Sequence, residues 1–136
     1  MSNNSHNPLH DFLPGKDFFV GIDSDGCAFD TMEIKHKECF CPNTIHYWNL
    51  QMVSKYAREA WEFVNLYSKS RGINRFLALL EVIRLLNDRK EVKARNVELP
   101  EVASLEQWTR TETKLGNPAL QSWALEINDQ IGRAHV

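Results

Sequence analysis

The stretch that decides the fold is FFVGIDSDGCAFDT, residues 18–31, in which an apolar run ends in two aspartates, a glycine and a third aspartate. Its first part, residues 18–22, is short, continuous and rich in aromatic and β-branched side chains. This pattern is typical of a strand buried on both faces of a parallel sheet. Because ligands of open α/β sheets bind beyond the carboxyl ends of the strands, we expect Asp23, at the end of the run, to take part in chemistry.

A second carboxylate follows two positions later, at Asp25. Two carboxylates so close repel each other and share protons, so they suit either a nucleophile with an acid or a divalent metal site. Magnesium takes oxygen ligands, often one or two carboxylates together with phosphate oxygens. Gly26 can turn the backbone with positive φ, and successive amides in such a turn can bind an anion. The pattern therefore indicates phosphate chemistry.

The strings IDSDG at 22–26 and FDT at 29–31 resemble the first motif of the haloacid dehalogenase superfamily, in its phosphatase branch. In that motif an apolar strand leads into Asp-x-Asp-Gly and then Asp-Thr or Asp-Ser. Members that cleave carbon–halogen or carbon–phosphorus bonds usually lack the second acid, so Asp25 favours phosphoester chemistry. Cys27 and Ala28 depart from the usual Thr and Leu or Val, at positions that shape the turn.

The resemblance implies a role for each residue of the turn. Asp23 would attack phosphorus, form an aspartyl-phosphate and bind Mg²⁺ through its carboxylate. Asp25 would protonate the leaving oxygen, then activate water, and contribute its backbone carbonyl to the metal. Ser24 and Gly26 are candidate contacts to the substrate in the same turn.

Other interpretations of these residues are weaker. Asp-x-Asp-Gly by itself is a common turn, in which the acids would do no more than cap a helix. A calcium loop of the EF-hand type needs its glycine at the sixth position, whereas Gly26 is fourth from Asp23. A zinc site would gather the group His36, Cys39, Cys41 and His46, but the spacing is wrong for familiar two-pair zinc modules, and helix packing accounts for these residues better.

Composition narrows the class of protein. The 136 residues are 43% apolar, enough to bury one core, and carry a net charge of −2. No large basic block appears, which argues against nucleic acid as a partner. Residues 1–10 are polar, so we expect neither a signal peptide nor a membrane anchor. Three cysteines without an export signal indicate reduced thiols and a cytoplasmic protein.

Beyond Thr31 the apolar residues recur at helical spacing, and we predict five or six helices. Pro42 is expected to interrupt the first helix, while Ser54 and Asn74 are expected to cap later ones. Ser104 with Gln107 has the spacing of a capping box.

No second segment resembles a buried strand, since residues 92–99 are too polar. A parallel strand needs neighbours to accept its hydrogen bonds, so the rest of the sheet is expected to lie outside this chain. Members of the superfamily often insert a helical cap directly after the first motif. The resemblance therefore implies an α/β class, a Rossmann-like parallel core with only its first strand in this chain, and an α-helical cap that makes the chain itself mostly α.

Four segments follow from this interpretation. They are a disordered leader (1–11), the first strand and catalytic loop (12–31), the helical cap (32–130) and a non-native tail (131–136). The tail, IGRAHV, matches in one reading frame the translation of a widely used sequencing adapter.

The function we expect is magnesium-dependent hydrolysis of a small phosphomonoester. Lys35, Arg58 and Arg75, together with Lys37 and Lys55, are candidate substrate contacts from the cap, although a solvated surface charge is the more common role for any one of them. The later motifs, a phosphate-binding Ser or Thr, a Lys and an acidic pair, are not found in the chain, so by itself it should be inactive. A phosphomutase of the same superfamily and a non-catalytic helical interaction module remain alternatives, and the oligomeric state is open.

Overall fold

The computed structural model describes residues 13 and 15–134, with side chains described as far as Ile127. The chain divides into two compact units between Asp30 and Thr31. The predicted leader, residues 1–11, lies outside the described residues, as do the last two residues of the predicted tail.

Helices account for most of the second unit, and the prediction that the chain is mostly helical is confirmed. They are α1 (Met32–Ile34), a first π turn (Lys35–Phe40), α2 (Cys41–Tyr47), a 3-10 turn (Gln51–Val53), α3 (Ser54–Glu62), a second π turn (Phe63–Tyr67), α4 (Arg75–Asp88), α5 (Lys90–Lys93), α6 (Ala103–Thr111) and α7 (Asn117–Ala134).

Residues 18–22 form neither a strand nor a helix. Their large side chains, Phe18, Phe19, Val20 and Ile22, are 75% to 92% exposed. The prediction of a buried strand is therefore wrong for the chain as described. A strand exists only where a neighbour accepts its backbone hydrogen bonds, and none of the described residues forms such a neighbour.

The second unit begins with one helical run through residues 32–47, in which α1, the first π turn and α2 follow without a break. Pro42 lies inside this run, so the prediction that it interrupts the helix is wrong. The turn before it is wide, with the Cys41 N–H donating to the carbonyl of His36, five residues earlier. A proline ring normally crowds the preceding turn of an α-helix, and a π turn at that point accommodates the irregularity.

The core of this unit forms where α3 packs against α4. Apolar residues of α3 and the second π turn recur at intervals of three and four, which places them on one face. Helix α4 contributes Val82, Ile83 and Leu86, all at most 1% exposed. The remaining buried members of the cluster are Cys41, Ile45, Leu50, Val53, Ala57, Ala60, Trp61, Val64, Ala78 and Val92.

The structure confirms one of the three helix N-caps that were predicted from the sequence. The Asn74 side chain accepts a hydrogen bond of 3.0 Å from the Phe76 N–H, so the predicted cap of α4 is confirmed. Ser54 instead lies inside α3, which begins without a side-chain cap. Ser104 lies inside α6. At the start of this helix the Ala103 N–H donates a hydrogen bond of 2.7 Å to the carboxylate of Glu101. Ser54 is the first residue of α3 and Ser104 the second residue of α6, so the two serines lie one and two positions beyond the cap.

An aromatic cluster joins the later helices to α4. The Trp108 ring meets Phe76 edge to face, with centroids 5.0 Å apart, and lies 5.9 Å from Trp123 of α7. Among the helices that the structure describes, none combines the length and apolar character needed to cross a membrane.

Candidate functional site

The predicted catalytic residues lie on one compact turn of the first unit. The Gly26 N–H donates to the Phe29 carbonyl at 2.8 Å, and the Phe29 N–H donates to the Ser24 carbonyl at 2.9 Å. A third bond of 3.3 Å runs from the Ala28 N–H to the carbonyl of Asp23. The turn is thus closed by its own backbone and holds residues 23–26 together without help from a sheet.

Gly26 has φ = 70°, in the left-handed region that glycine enters without steric cost. The conformational prediction for this residue is confirmed. Its amide, however, is already bonded to Phe29, and two more amides of the turn are used in the same way. An anion bound in this conformation would therefore have to be held by other donors than the Gly26 N–H.

The two aspartates of the turn are exposed. Asp23 Oδ1 accepts a hydrogen bond of 2.9 Å from the N–H of Ser24, whose own side chain is exposed. Asp23 Oδ2 makes no hydrogen bond within the described part of the chain, which leaves a carboxylate oxygen accessible to an electrophile or a cation.

The turn fits Mg²⁺ only in part. Its carboxylate oxygens are the ligand type that magnesium prefers, and one or two of them are a usual protein contribution. Within residues 13 and 15–134, no three His, Cys, Asp or Glu side chains come close enough together to hold a metal ion. Asp23 and Asp25 would hold one side of the ion, and the remaining ligands would be water, phosphate oxygens or further acids.

The residues weighed as a zinc group are spread over the first helical run. Cys39 is exposed, whereas Cys41 is buried in the core. Burial raises the pKa of the Cys41 thiol to about 11, against which the charge of Arg58 works. Such a thiol is protonated at neutral pH and serves as a small apolar core residue.

The predicted cationic contacts occupy three different elements of the helical unit. Lys35 lies in the first π turn with its ammonium 5.8 Å from the centroid of the Phe40 ring. Arg58 is exposed on α3. Arg75, the first residue of α4, is exposed and lines a pocket of about 340 Å³.

Lys37 and Lys55 are engaged with neighbours. Lys37 is 2.9 Å from a carboxylate oxygen of Glu33 and 3.7 Å from one of Glu62. These contacts explain why the pKa of Glu33 is lowered, first by its hydrogen bond with Lys37 and then by that with Tyr67. Lys55 places its ammonium 5.8 Å from the ring centroid of Tyr56.

The pocket itself was not foreseen from the sequence. Its walls come from the first helical run, α3, the second π turn and α4. Trp61 and Phe76 belong to the segment whose apolar residues recur at helical spacing, but that pattern gives no sign of a space between the helices. The one signal available was the density of aromatic residues in residues 36–76.

No protein-family model matches this chain, and the searches of curated proteins and of solved structures likewise found no match.

Proposed function

We propose that this chain carries the nucleophile of a magnesium-dependent phosphoester hydrolase of the haloacid dehalogenase type, with residues 32–130 as its cap. The observation that carries the proposal is the state of Asp23. Its carboxylate is exposed, one of its oxygens makes no hydrogen bond in the described chain, and it shares a closed turn with Asp25 and Gly26. The substrate class is a small phosphomonoester, and the site of action is the cytoplasm.

The chemistry assigned to the turn has two steps. Asp23 Oδ2 attacks phosphorus, the ester P–O bond breaks, and protonated Asp25 gives its proton to the departing oxygen, which leaves an aspartyl-phosphate and an alcohol. Asp25, now ionised, takes a proton from water as the water oxygen attacks phosphorus, which releases phosphate and restores Asp23. A magnesium ion, when bound, neutralises charge on the phosphoryl oxygens.

Each residue of the turn has a separate task in this scheme. The Ser24 N–H holds Asp23 Oδ1 at 2.9 Å, which orients the other oxygen for attack. Gly26 supplies the left-handed conformation at which its N–H bonds the Phe29 carbonyl and closes the turn. The helical unit would select the substrate and exclude water during attack.

A first test measures metal binding by the 136-residue chain. Mn²⁺ can be titrated as a paramagnetic probe of a magnesium site, with binding followed by the relaxation enhancement of water protons. Asp23→Asn and Asp25→Asn should each remove the enhancement. Asp17→Asn, which removes the same charge at another exposed position of the first unit, should retain it. Equal enhancement in all four proteins would refute a metal site at the turn.

A second test measures turnover of 1-naphthyl phosphate with Mg²⁺. The 136-residue chain should show none, because the groups that stabilise the transferring phosphoryl supply the largest part of catalysis. In a longer product of the same gene that includes the sheet, Asp23→Asn should lower kcat by roughly a thousandfold or more, as loss of a nucleophile does. Turnover that survives Asp23→Asn in either protein would remove Asp23 as the nucleophile.

A non-catalytic helical module is the second candidate, and one observation favours it. The amides of Gly26, Ala28 and Phe29 are all satisfied inside the turn, as in a purely structural turn. This candidate predicts no response to Mn²⁺ in the first test, so the same experiment separates the two.

A further inference from the structure

The pocket of the helical unit has the size and lining of a small-molecule site. Its volume of about 340 Å³ lies in the range of ligand pockets, and its walls are largely apolar and aromatic. The lining residues are Met32, His36, Phe40, Asn43, Thr44, Trp61, Asn65, Gly72, Ile73, Arg75, Phe76 and Leu79.

Two rare backbone elements contribute to this wall. The first π turn supplies His36 and Phe40, and the second supplies Asn65. π-helical turns are rare and occur mostly as single turns inside α-helices, frequently at functional sites. Both of the π turns in the described chain therefore border the same space.

The pocket wall also contains polar atoms that the fold leaves unsatisfied. His36 Nδ1 and Trp61 Nε1 are buried and have no hydrogen-bond partner in the described structure. Trp61 as a whole is 7% exposed. A buried polar atom without a hydrogen-bond partner destabilises the fold, and a partner supplied by a ligand would remove that cost. Because both residues line the pocket, a polar group of a bound ligand is a candidate partner for these two atoms.

One charge faces this site. Of the lining residues, Arg75 is the one charged side chain, and it is held in place from two directions. Its Nη2 donates to Asn117 Oδ1 at 2.5 Å, and its guanidinium carbon lies 4.9 Å from the Phe76 ring centroid. A guanidinium has five N–H donors in a planar fork, so this anchoring leaves several for an anion.

We propose that this pocket binds a small planar aromatic molecule that carries a single anionic group, with its ring against the aromatic walls and its anion on Arg75. The anion could be a carboxylate or a phosphate, because both match the guanidinium fork. Aromatic rings that stack on one another are stabilised beyond the burial of their surface alone. The inference does not depend on the proposed phosphatase activity, since no residue of the turn at 23–26 lines the pocket.

The test compares three probes that share one ring system. They are 1-naphthyl phosphate, 1-naphthoate and 1-naphthol, titrated calorimetrically into the 136-residue chain with EDTA present, so that metal plays no part. Both anions should bind at least about tenfold more tightly than the neutral alcohol, the worth of one charge-assisted hydrogen bond. Whichever of the two anions binds with the higher affinity indicates whether the ligand of this pocket carries a phosphate or a carboxylate.

A charge variant tests the role of Arg75. Arg75→Gln should reduce the affinity for both anions to that of 1-naphthol and leave 1-naphthol unchanged. Arg71→Gln is the matched control, because Arg71 is exposed, makes no side-chain hydrogen bond or ion pair within the described residues and does not line the pocket. If Arg75→Gln keeps the preference for anions, or if Arg71→Gln loses it equally, the proposal is overturned.

A filling variant tests the location. Asn43 lines the pocket from the exposed side of α2, so Asn43→Trp should occupy the space and abolish binding of all three probes. His46→Trp, on the same helix but outside the lining, should bind them normally. Melting curves establish that both variants fold. Unchanged binding to folded Asn43→Trp would show that the probes bind outside this pocket and would overturn the proposal. If Asn43→Trp does not fold, the Arg75→Gln comparison alone tests the proposal.

Discussion

The imidazole ring of His36 lies 6.3 Å from the indole ring of Trp61, centroid to centroid, in the wall of the pocket. Burial lowers the pKa of His36, and the nearby charge of Lys35 lowers it further. The imidazole is therefore neutral at pH 7, and its buried Nδ1 has no partner that would favour the charged form.

The first prediction concerns acid stability. Because the pKa of His36 is lower in the folded than in the unfolded chain, the unfolded chain binds more protons as the pH falls below about 6.5. His36 should thus leave stability intact above that pH and reduce it as the pH falls toward 5, with a slope of at most about 1.4 kcal/mol per pH unit. Urea unfolding at pH 7.5, 6.5 and 5.5 measures this slope.

His36→Gln should remove that slope, whereas His46→Gln, at an exposed position of the same helical run, should retain it. If the unfolding free energies of wild type and His36→Gln stay parallel across the range, burial of a neutral His36 is not the cause.

The second prediction concerns thiol reactivity. Cys27 and Cys39 are exposed, while burial raises the pKa of Cys41 to about 11. At pH 8 roughly one Cys41 side chain in a thousand would be a thiolate, and the thiolate is the species that reacts. Iodoacetamide should modify two thiols quickly and the third only after denaturation, as counted by mass spectrometry. Rapid loss of all three native thiols would contradict the burial of Cys41.

The third prediction concerns the helical core. Leu86 of α4 is 0% exposed and belongs to the buried cluster, so Leu86→Ala should lower the free energy of unfolding by about 2–5 kcal/mol. Leu77 of the same helix is 40% exposed, and Leu77→Ala should cost less than about 1 kcal/mol. Denaturant titration of the two variants measures both costs. Similar costs at the two positions would mean that α4 does not bury the face described above.

The fourth prediction concerns a stack of cations on Tyr56. The guanidinium carbons of Arg89 and Arg95 lie 4.6 Å and 5.0 Å from its ring centroid. Arg89 also bonds Glu59, and Arg95 donates to the Met52 carbonyl at 2.7 Å. Tyr56→Leu should therefore reduce the unfolding free energy by about 1–2 kcal/mol, the worth of the two arginine contacts, since the Lys55 ammonium is farther from the ring at 5.8 Å.

Tyr56→Phe keeps the aromatic ring and should retain most of that free energy, as measured by thermal unfolding. If the Phe and Leu variants melt together, the cations do not stabilise the fold through the ring.

Local features of the structure could be predicted from sequence where a few neighbouring residues decide the conformation. The left-handed turn at Gly26 and the cap at Asn74 are of this kind, because each depends on one side chain and the next few amides. The helical character of the chain beyond Thr31 also followed from periodicity, because apolar residues at helical spacing come together on one face when the segment forms a helix.

What only the tertiary structure decided involves partners distant in sequence. Residues 18–22 have the pattern of a strand, but a strand needs another segment to complete its hydrogen bonds, and the described chain supplies none. Pro42 stays within a helical run because a π turn precedes it, which the α-helical rule did not anticipate. The pocket between His36, Trp61 and Arg75 exists only because three helices meet with imperfect packing. Periodicity fixes the face that each helix presents, but it does not fix the space left between two faces.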